Sequence, residues 1–213
     1  MMFPTTADTP IGASPPGRIA LLLLAPTGSG IHSVVHQIKE LTDVHVELCV
    51  RDSTRIKQVW DNGTLRSVPE EFGGRMTACE YLAVMNDDAG KLYGHRKTDV
   101  EDILRKGSIP VLRGLPGHAP VLGKWFAERD PAVRLVTVFM TTDPADAWKG
   151  IVKERGFDVE SRIAAADKVL LDLGLTNGTA TDASLKRFGI DHLVVNRWGH
   201  LDETVRAIAV LLR

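Results

Sequence analysis

The first patterned segment is Ile19-Ala20-Leu21-Leu22-Leu23-Leu24, a short run with no polar interruption. Such a run suits a central strand covered on both faces. It breaks at Pro26-Thr27-Gly28-Ser29-Gly30, after which Val34, Val35, Ile38 and Leu41 recur at helical spacing. Strand, glycine turn and helix open an α/β domain. Val44 to Val50 predicts a second strand, because Val44, Val46, Leu48 and Val50 alternate with His45, Glu47 and Cys49. Arg51 to Gly74 is polar, with Asn62-Gly63 as a turn signal, and fits short strands of a small lobe. Thr98 to Lys106 predicts a helix, since Val100, Ile103 and Leu104 share a face and Gly107 stops it. Ile109 to Leu112 and Leu135 to Met140 read as strands, and Asp143-Pro144 as an N-cap with proline at the first helical position. A helix over Asp158 to Leu173, a strand at Leu193 to Val195 and a helix over Leu201 to Leu212 complete the pattern. Strands alternating with helices imply a mostly parallel sheet with helices on both faces.

Composition narrows the picture. The 213 residues are 44% hydrophobic and 25% charged, the usage of an ordinary globular domain. Met1 to Gly17 holds Pro4, Pro10, Pro15 and Pro16 and almost no charge, so residues 1–17 read as a flexible tail ahead of a single domain over 18–213. A net charge of −1 supplies no global field for nucleic acid or an anionic membrane. The longest apolar run, Ile19 to Ala25, is far short of the roughly 20 residues that span a bilayer. Cys49 and Cys79 lack metal spacing and read as buried thiols of a cytoplasmic protein.

The chemistry centres on the glycine turn. Glycines in such a loop let backbone N–H groups converge on an anion at a helix N-terminus. The full phosphate-loop signature ends in glycine, lysine and a hydroxyl residue, the lysine reaching β/γ-phosphates and the hydroxyl holding Mg²⁺. Aligned on Ala25 to Ser33, only Gly30 matches. Ile31 stands at the lysine, His32 at the hydroxyl, and Ser33 falls one place late. A tight strand–helix turn with no ligand and an anion site built from backbone donors both fit. In the second reading a protonated His32 assists, and His32 or Lys39 is the nearest replacement for the missing charge. His32 and His36 are four apart, but no third metal ligand is indicated. Asp87-Asp88 reads as a polar loop tip rather than a metal site. There is no G-x-S-x-G elbow for a serine hydrolase, and the four tryptophans form no nucleic-acid platform.

With strand and loop in place, the chain resembles the guanylate kinase-like family, including its ribose bisphosphate kinase branch, from about Arg18 onward. Pro26 to Gly30 is similar to the family's loop core. Ser53-Thr54-Arg55 resembles the segment whose arginine grips the acceptor phosphate, and Gly90-Lys91-Leu92-Tyr93-Gly94 the motif whose tyrosine contacts that phosphate. Arg155-Gly156 and Arg162 look like lid positions, and Val194-Val195-Asn196 like the late strand whose asparagine lies near adenine. The resemblance implies a three-layer P-loop α/β domain with an acceptor-binding lobe at about 51–95 and a short lid at about 153–163. It further implies ATP-dependent phosphoryl transfer, with Mg²⁺, to a small phosphorylated acceptor such as a nucleoside monophosphate or ribose phosphate. Thr27, Gly28, Ser29, Gly30, Ile31, His32 and Ser33 would line the donor phosphates, Arg55 and Tyr93 the acceptor, Asn196 the adenine side, and Arg155 with Arg162 the transferred charge.

The departures are on the donor side and at the base. An ungapped count from Gly94 places the family's guanine-reading glutamate on Val84, and Glu80 is reached only through a four-residue insertion. Val111-Leu112-Arg113-Gly114-Leu115 lacks the strand carboxylate and is closer to the ribose bisphosphate kinase branch. Two function classes therefore stand side by side: a phosphotransferase slowed by Ile31, and a non-catalytic phosphate-binding or protein-interaction module on the same fold.

Overall fold

The computed structural model describes residues 18–26, 28–55, 65–86, 90–143, 146–154, 159–175 and 181–213. Five parallel strands form the central sheet: β1 (Arg18–Leu24), β2 (Val46–Leu48), β7 (Ile109–Gly114), β8 (Val133–Asp143) and β9 (His192–Arg197), in the order β2-β7-β1-β8-β9. β1 is the middle strand. Its odd residues Ile19, Leu21 and Leu23 pack with Val34, Val35 and Ile38 of α1 (Ile31–Leu41) and Val205, Ile208 and Ala209 of α8 (Leu201–Leu211). Its even residues Ala20, Leu22 and Leu24 meet Val100, Ile103 and Leu104 of α3 (Lys97–Arg105) and Ala119, Leu122 and Phe126 of α4 (Ala119–Arg129). The uninterrupted apolar run is thus explained by two covered faces, and three layers result. Truncating Leu22, which is fully buried, to alanine removes about 2–5 kcal/mol.

A second sheet, ordered β4-β3-β6-β5, forms the lobe from β3 (Arg51–Ser53), β4 (Leu65–Ser67), β5 (Tyr81–Asn86) and β6 (Leu92–Arg96). β3 pairs parallel with β4 and antiparallel with β6, and β5 pairs antiparallel with β6. The remaining helices are α2 (Phe72–Thr77), α5 (Ala147–Glu154), α6 (Val159–Asp172) and α7 (Asp182–Arg187). Trp148 and Val152 of α5 pack with Ala166 of α6 in a separate small cluster. None of the described helices is long and apolar enough to cross a membrane.

Three local expectations need correction. The strand expected over Val44 to Val50 splits, because the chain changes sheets within it. Cys49 N still donates to Val111 O at 2.9 Å, and two residues later Arg51 opens β3 in the other sheet. Asp143 is the last residue of β8, in register with Arg197, so its backbone belongs to the ladder, and α5 is described only from Ala147; Pro144 lies outside the described residues. Cys79 is exposed and left-handed (φ 56°), whereas Cys49 is buried as expected. β5, β6 and α4 were not anticipated. α4 has Pro120 in its first turn and apolar positions 119, 122 and 126, so its face was readable; Gly123 interrupts the run. The Asn62-Gly63 turn, Asp87-Asp88 and the 155–158 part of the lid lie outside the described residues.

Candidate functional site

Between β1 and α1 the described loop residues turn on two glycines. Gly28 (φ +92°) and Gly30 (φ +88°) are both left-handed, a conformation costly for any residue with a Cβ. Ser29 N donates to Pro26 O at 3.2 Å, and Val34 N donates to Gly30 O at 3.0 Å, which starts the helix. The loop is walled on two sides. A Cβ on Gly28 would lie 2.8 Å from Trp148 O of α5, and one on Gly30 would lie 3.2 Å from Asn196 Nδ2 of β9. Asn196 Nδ2 donates to Ser29 O at 3.0 Å, while its Oδ1 accepts from Thr204 Oγ1 at 3.0 Å. Its described contacts therefore brace the loop. Ser29 Oγ and Thr142 Oγ1 are buried hydroxyls without a hydrogen-bond partner among the described residues, and Thr142 is the register partner of Asn196.

The side chains following the loop are reorganised. Ile31 packs against the core cluster under β1, so the position of the missing lysine faces inward. His32 Nε2 lies 2.8 Å from Arg113 Nη1. A guanidinium only donates, so Nε2 is the acceptor in this contact. The buried cation beside His32 is Arg113, from the end of β7, 8% exposed. Lys39 is exposed in the last turn of α1, about 10 Å along the helix from His32, and is no substitute for the loop charge. Ser33 is exposed. Mg²⁺ takes oxygen ligands; a histidine nitrogen spent on a guanidinium, and that guanidinium itself, do not fit it. Among the described residues no three His, Cys, Asp or Glu side chains are grouped to hold a metal.

In the lobe the charges are organised around Asp52, which is fully buried. Its carboxylate accepts from Tyr81 Oη at 3.0 Å and Arg96 Nε at 2.6 Å and pairs with Arg66 Nε at 2.9 Å; Arg66 also pairs with Asp99. Gly94 makes this possible, because a Cβ there would lie 2.7 Å from the Tyr81 ring. On the opposite face Arg51 lies over the Tyr93 ring, 5.0 Å from its centroid. His95 stands across from Arg51 in register, and its Nε2 lies 3.1 Å from Arg113 O and 3.3 Å from Arg113 N. Burial, and next the Arg51 charge, pull its pKa down to about 3. Tyr93, Arg51, His95, Arg113 and His32 thus form a continuous track from the lobe to the loop.

The other expected residues fall as follows. Arg55 is half-buried just beyond β3, its N–H held by Ser53 Oγ at 2.9 Å. Thr54 Oγ1 accepts from Leu92 N at 2.9 Å, tying that segment to the start of β6. Arg162 is half-buried on α6; Thr27 and Arg155 lie outside the described residues. Glu80 is exposed and paired with Arg75 at 3.5 Å, and Val84 sits opposite Gly94. Sequence reading missed Arg113 and Arg51 as site residues. A signal existed for Arg113, a lone charge inside the apolar stretch Val111 to Leu115, but not for its partner.

No protein-family model matches the chain, and no curated protein sequence does. Among solved structures, a guanylate kinase from Anaplasma phagocytophilum superposes with a TM-score of 0.61 at 18% identity, over 93% of this chain and 86% of that one. A gluconokinase from Sinorhizobium meliloti 1021 (TM-score 0.41, 15% identity, 92% and 91% covered) and a shikimate kinase from Bacteroides thetaiotaomicron (0.40, 14%, 91% and 98%) are more distant. The chain therefore has a P-loop kinase-like α/β fold with a mostly parallel central sheet.

Proposed function

We propose that this chain binds ATP at the glycine loop and a small phosphorylated acceptor, a nucleoside monophosphate or ribose phosphate, at the lobe. Phosphate passes between them in a guanylate kinase-like reaction, far more slowly than in ordinary kinases. The observation that carries this reading is the continuous track of Tyr93, Arg51, His95, Arg113 and His32 joining lobe to loop. Phosphoryl transfer requires chiefly positioning and charge stabilisation. Loop N–H groups hold the donor phosphates, with Asn196 bracing the loop at the adenine side. Arg55 and Tyr93 hold the acceptor phosphate, while Arg155 and Arg162 meet the transferred charge. Loss of the loop lysine costs on the order of 3 kcal/mol, roughly a hundredfold in rate.

A non-catalytic phosphate-binding or protein-interaction module is the second reading, favoured by Ile31 facing the core. Transfer from labelled ATP to a panel of nucleoside monophosphates and sugar phosphates, beside calorimetry with each acceptor, tests both. Specific transfer below about 1 s⁻¹ supports the proposal. Turnover at ordinary kinase rates overturns the slow reaction, and acceptor binding without transfer selects the module. Failure of every acceptor to bind defeats the proposal outright.

A further inference from the structure

We propose that the loop site is a metal-independent anion site, in which the Arg113 guanidinium takes the place of both the loop lysine and the divalent cation. The inference rests on the phosphate-binding reading of the loop. In P-loop enzymes the metal sits between a hydroxyl just after the loop and a carboxylate from the Walker-B strand. Here the residue after the loop is His32, the second of α1, and β7 is one of the two strands flanking β1; it ends in Arg113-Gly114, in register with Leu23-Leu24. The two side chains are bonded to each other at 2.8 Å. Both positions thus differ from that pattern, carrying an imidazole and a guanidinium where it has a hydroxyl and a carboxylate.

Three further observations point the same way. Arg113 is more than nine-tenths buried, and a guanidinium held there serves phosphate recognition better than a flexible ammonium. Its backbone is fixed as well, since the buried ring of His95 lies within hydrogen-bond distance of the Arg113 main chain. Ser29 Oγ and Thr142 Oγ1, beside Asn196, are buried hydroxyls without partners among the described residues, and each has a proton to donate to an anion. The ligand class that fits is a phosphate or diphosphate group carrying its own negative charge, not one already neutralised by magnesium.

The experiment is calorimetric titration of the full chain with inorganic pyrophosphate, once with EDTA and once with excess MgCl₂. Binding in EDTA at least as tight as in magnesium is expected. Arg113→Gln should weaken the EDTA binding about tenfold or more, the loss of one charge-assisted contact, and Arg113→Lys by less. Should Arg113→Gln fail to fold, the magnesium comparison and Arg113→Lys decide. Binding that requires magnesium overturns this inference while leaving the proposed function standing, as does wild-type affinity in folded Arg113→Gln. Absence of any pyrophosphate or ATP binding in either buffer removes the donor site and the inference with it. A merely structural Arg113 would not make affinity indifferent to magnesium.

Discussion

The loop and the lobe have treated their charges in opposite ways. The loop has two left-handed glycines at a helix start, followed by side chains that depart from the lysine and hydroxyl of a phosphate-loop signature. Ile31 faces the core and an arginine–histidine pair stands at the helix entrance. In the lobe, chemistry and shape are locked together: the buried Asp52 is held by two arginines and a tyrosine, and Gly94 exists to admit that tyrosine. Backbone donors survive side-chain change because every residue carries them. A buried carboxylate does not survive the loss of its partners, because its desolvation is then uncompensated.

The largest effect should come from breaking the lobe. Asp52→Ala leaves Arg66 and Arg96 without their shared carboxylate, and a loss of about 3–5 kcal/mol in urea unfolding is expected. A loss below about 1 kcal/mol would mean the arginines find water instead. Arg55→Ala should next weaken acceptor binding by about 1.5–3 kcal/mol if its guanidinium grips phosphate, and unchanged calorimetric affinity places it outside the site.

On the loop side, Gly28→Ala forces a Cβ towards Trp148 O at positive φ. A stability loss of about 1–2 kcal/mol by denaturation and weaker pyrophosphate binding are expected. Full binding would show that the loop relaxes away from α5.

The joint between the two regions is tested by pH. His95 has its pKa pulled from the ordinary 6.5 to about 3, so between those values the unfolded chain binds a proton that the folded chain refuses. Its contribution is fully present above about pH 6.5 and is lost as pH falls towards 3. The slope approaches about 1.4 kcal/mol per pH unit. His95→Gln should flatten urea-unfolding stability against pH between 6 and 4, and an unchanged slope would assign the effect to other groups. The smallest effect is expected from Ile31→Lys, which should raise turnover by less than about tenfold because His32 and Arg113 still occupy the metal-ligand positions. The triple change Ile31→Lys, His32→Ser, Arg113→Asp addresses all three positions, and a larger magnesium-dependent rise from it than from Ile31→Lys alone is the expected contrast.

The residues on their own determined the frame. Ile19 to Leu24, the glycine turn and Val34 to Ile38 state strand, loop and helix, because each signal is local: apolar continuity, left-handed glycines and a 3.6-residue period within a few turns of chain. The alternation of Val44 to Val50 was equally visible, yet only contacts with β7 on one side and β6 on the other decided that the chain divides between two sheets there. The candidate site was legible in its left-handed glycines, but not in the pairings of its charges. His32 and Arg113 are 81 positions apart, and Asp52 and Arg96 are 44 apart. Pairings at such separations leave no period in the sequence, since a lone arginine in a strand is compatible with any partner the fold brings to it. Which partner it meets is set by strand order, and here β7 lies beside β1, so the arginine comes to the loop.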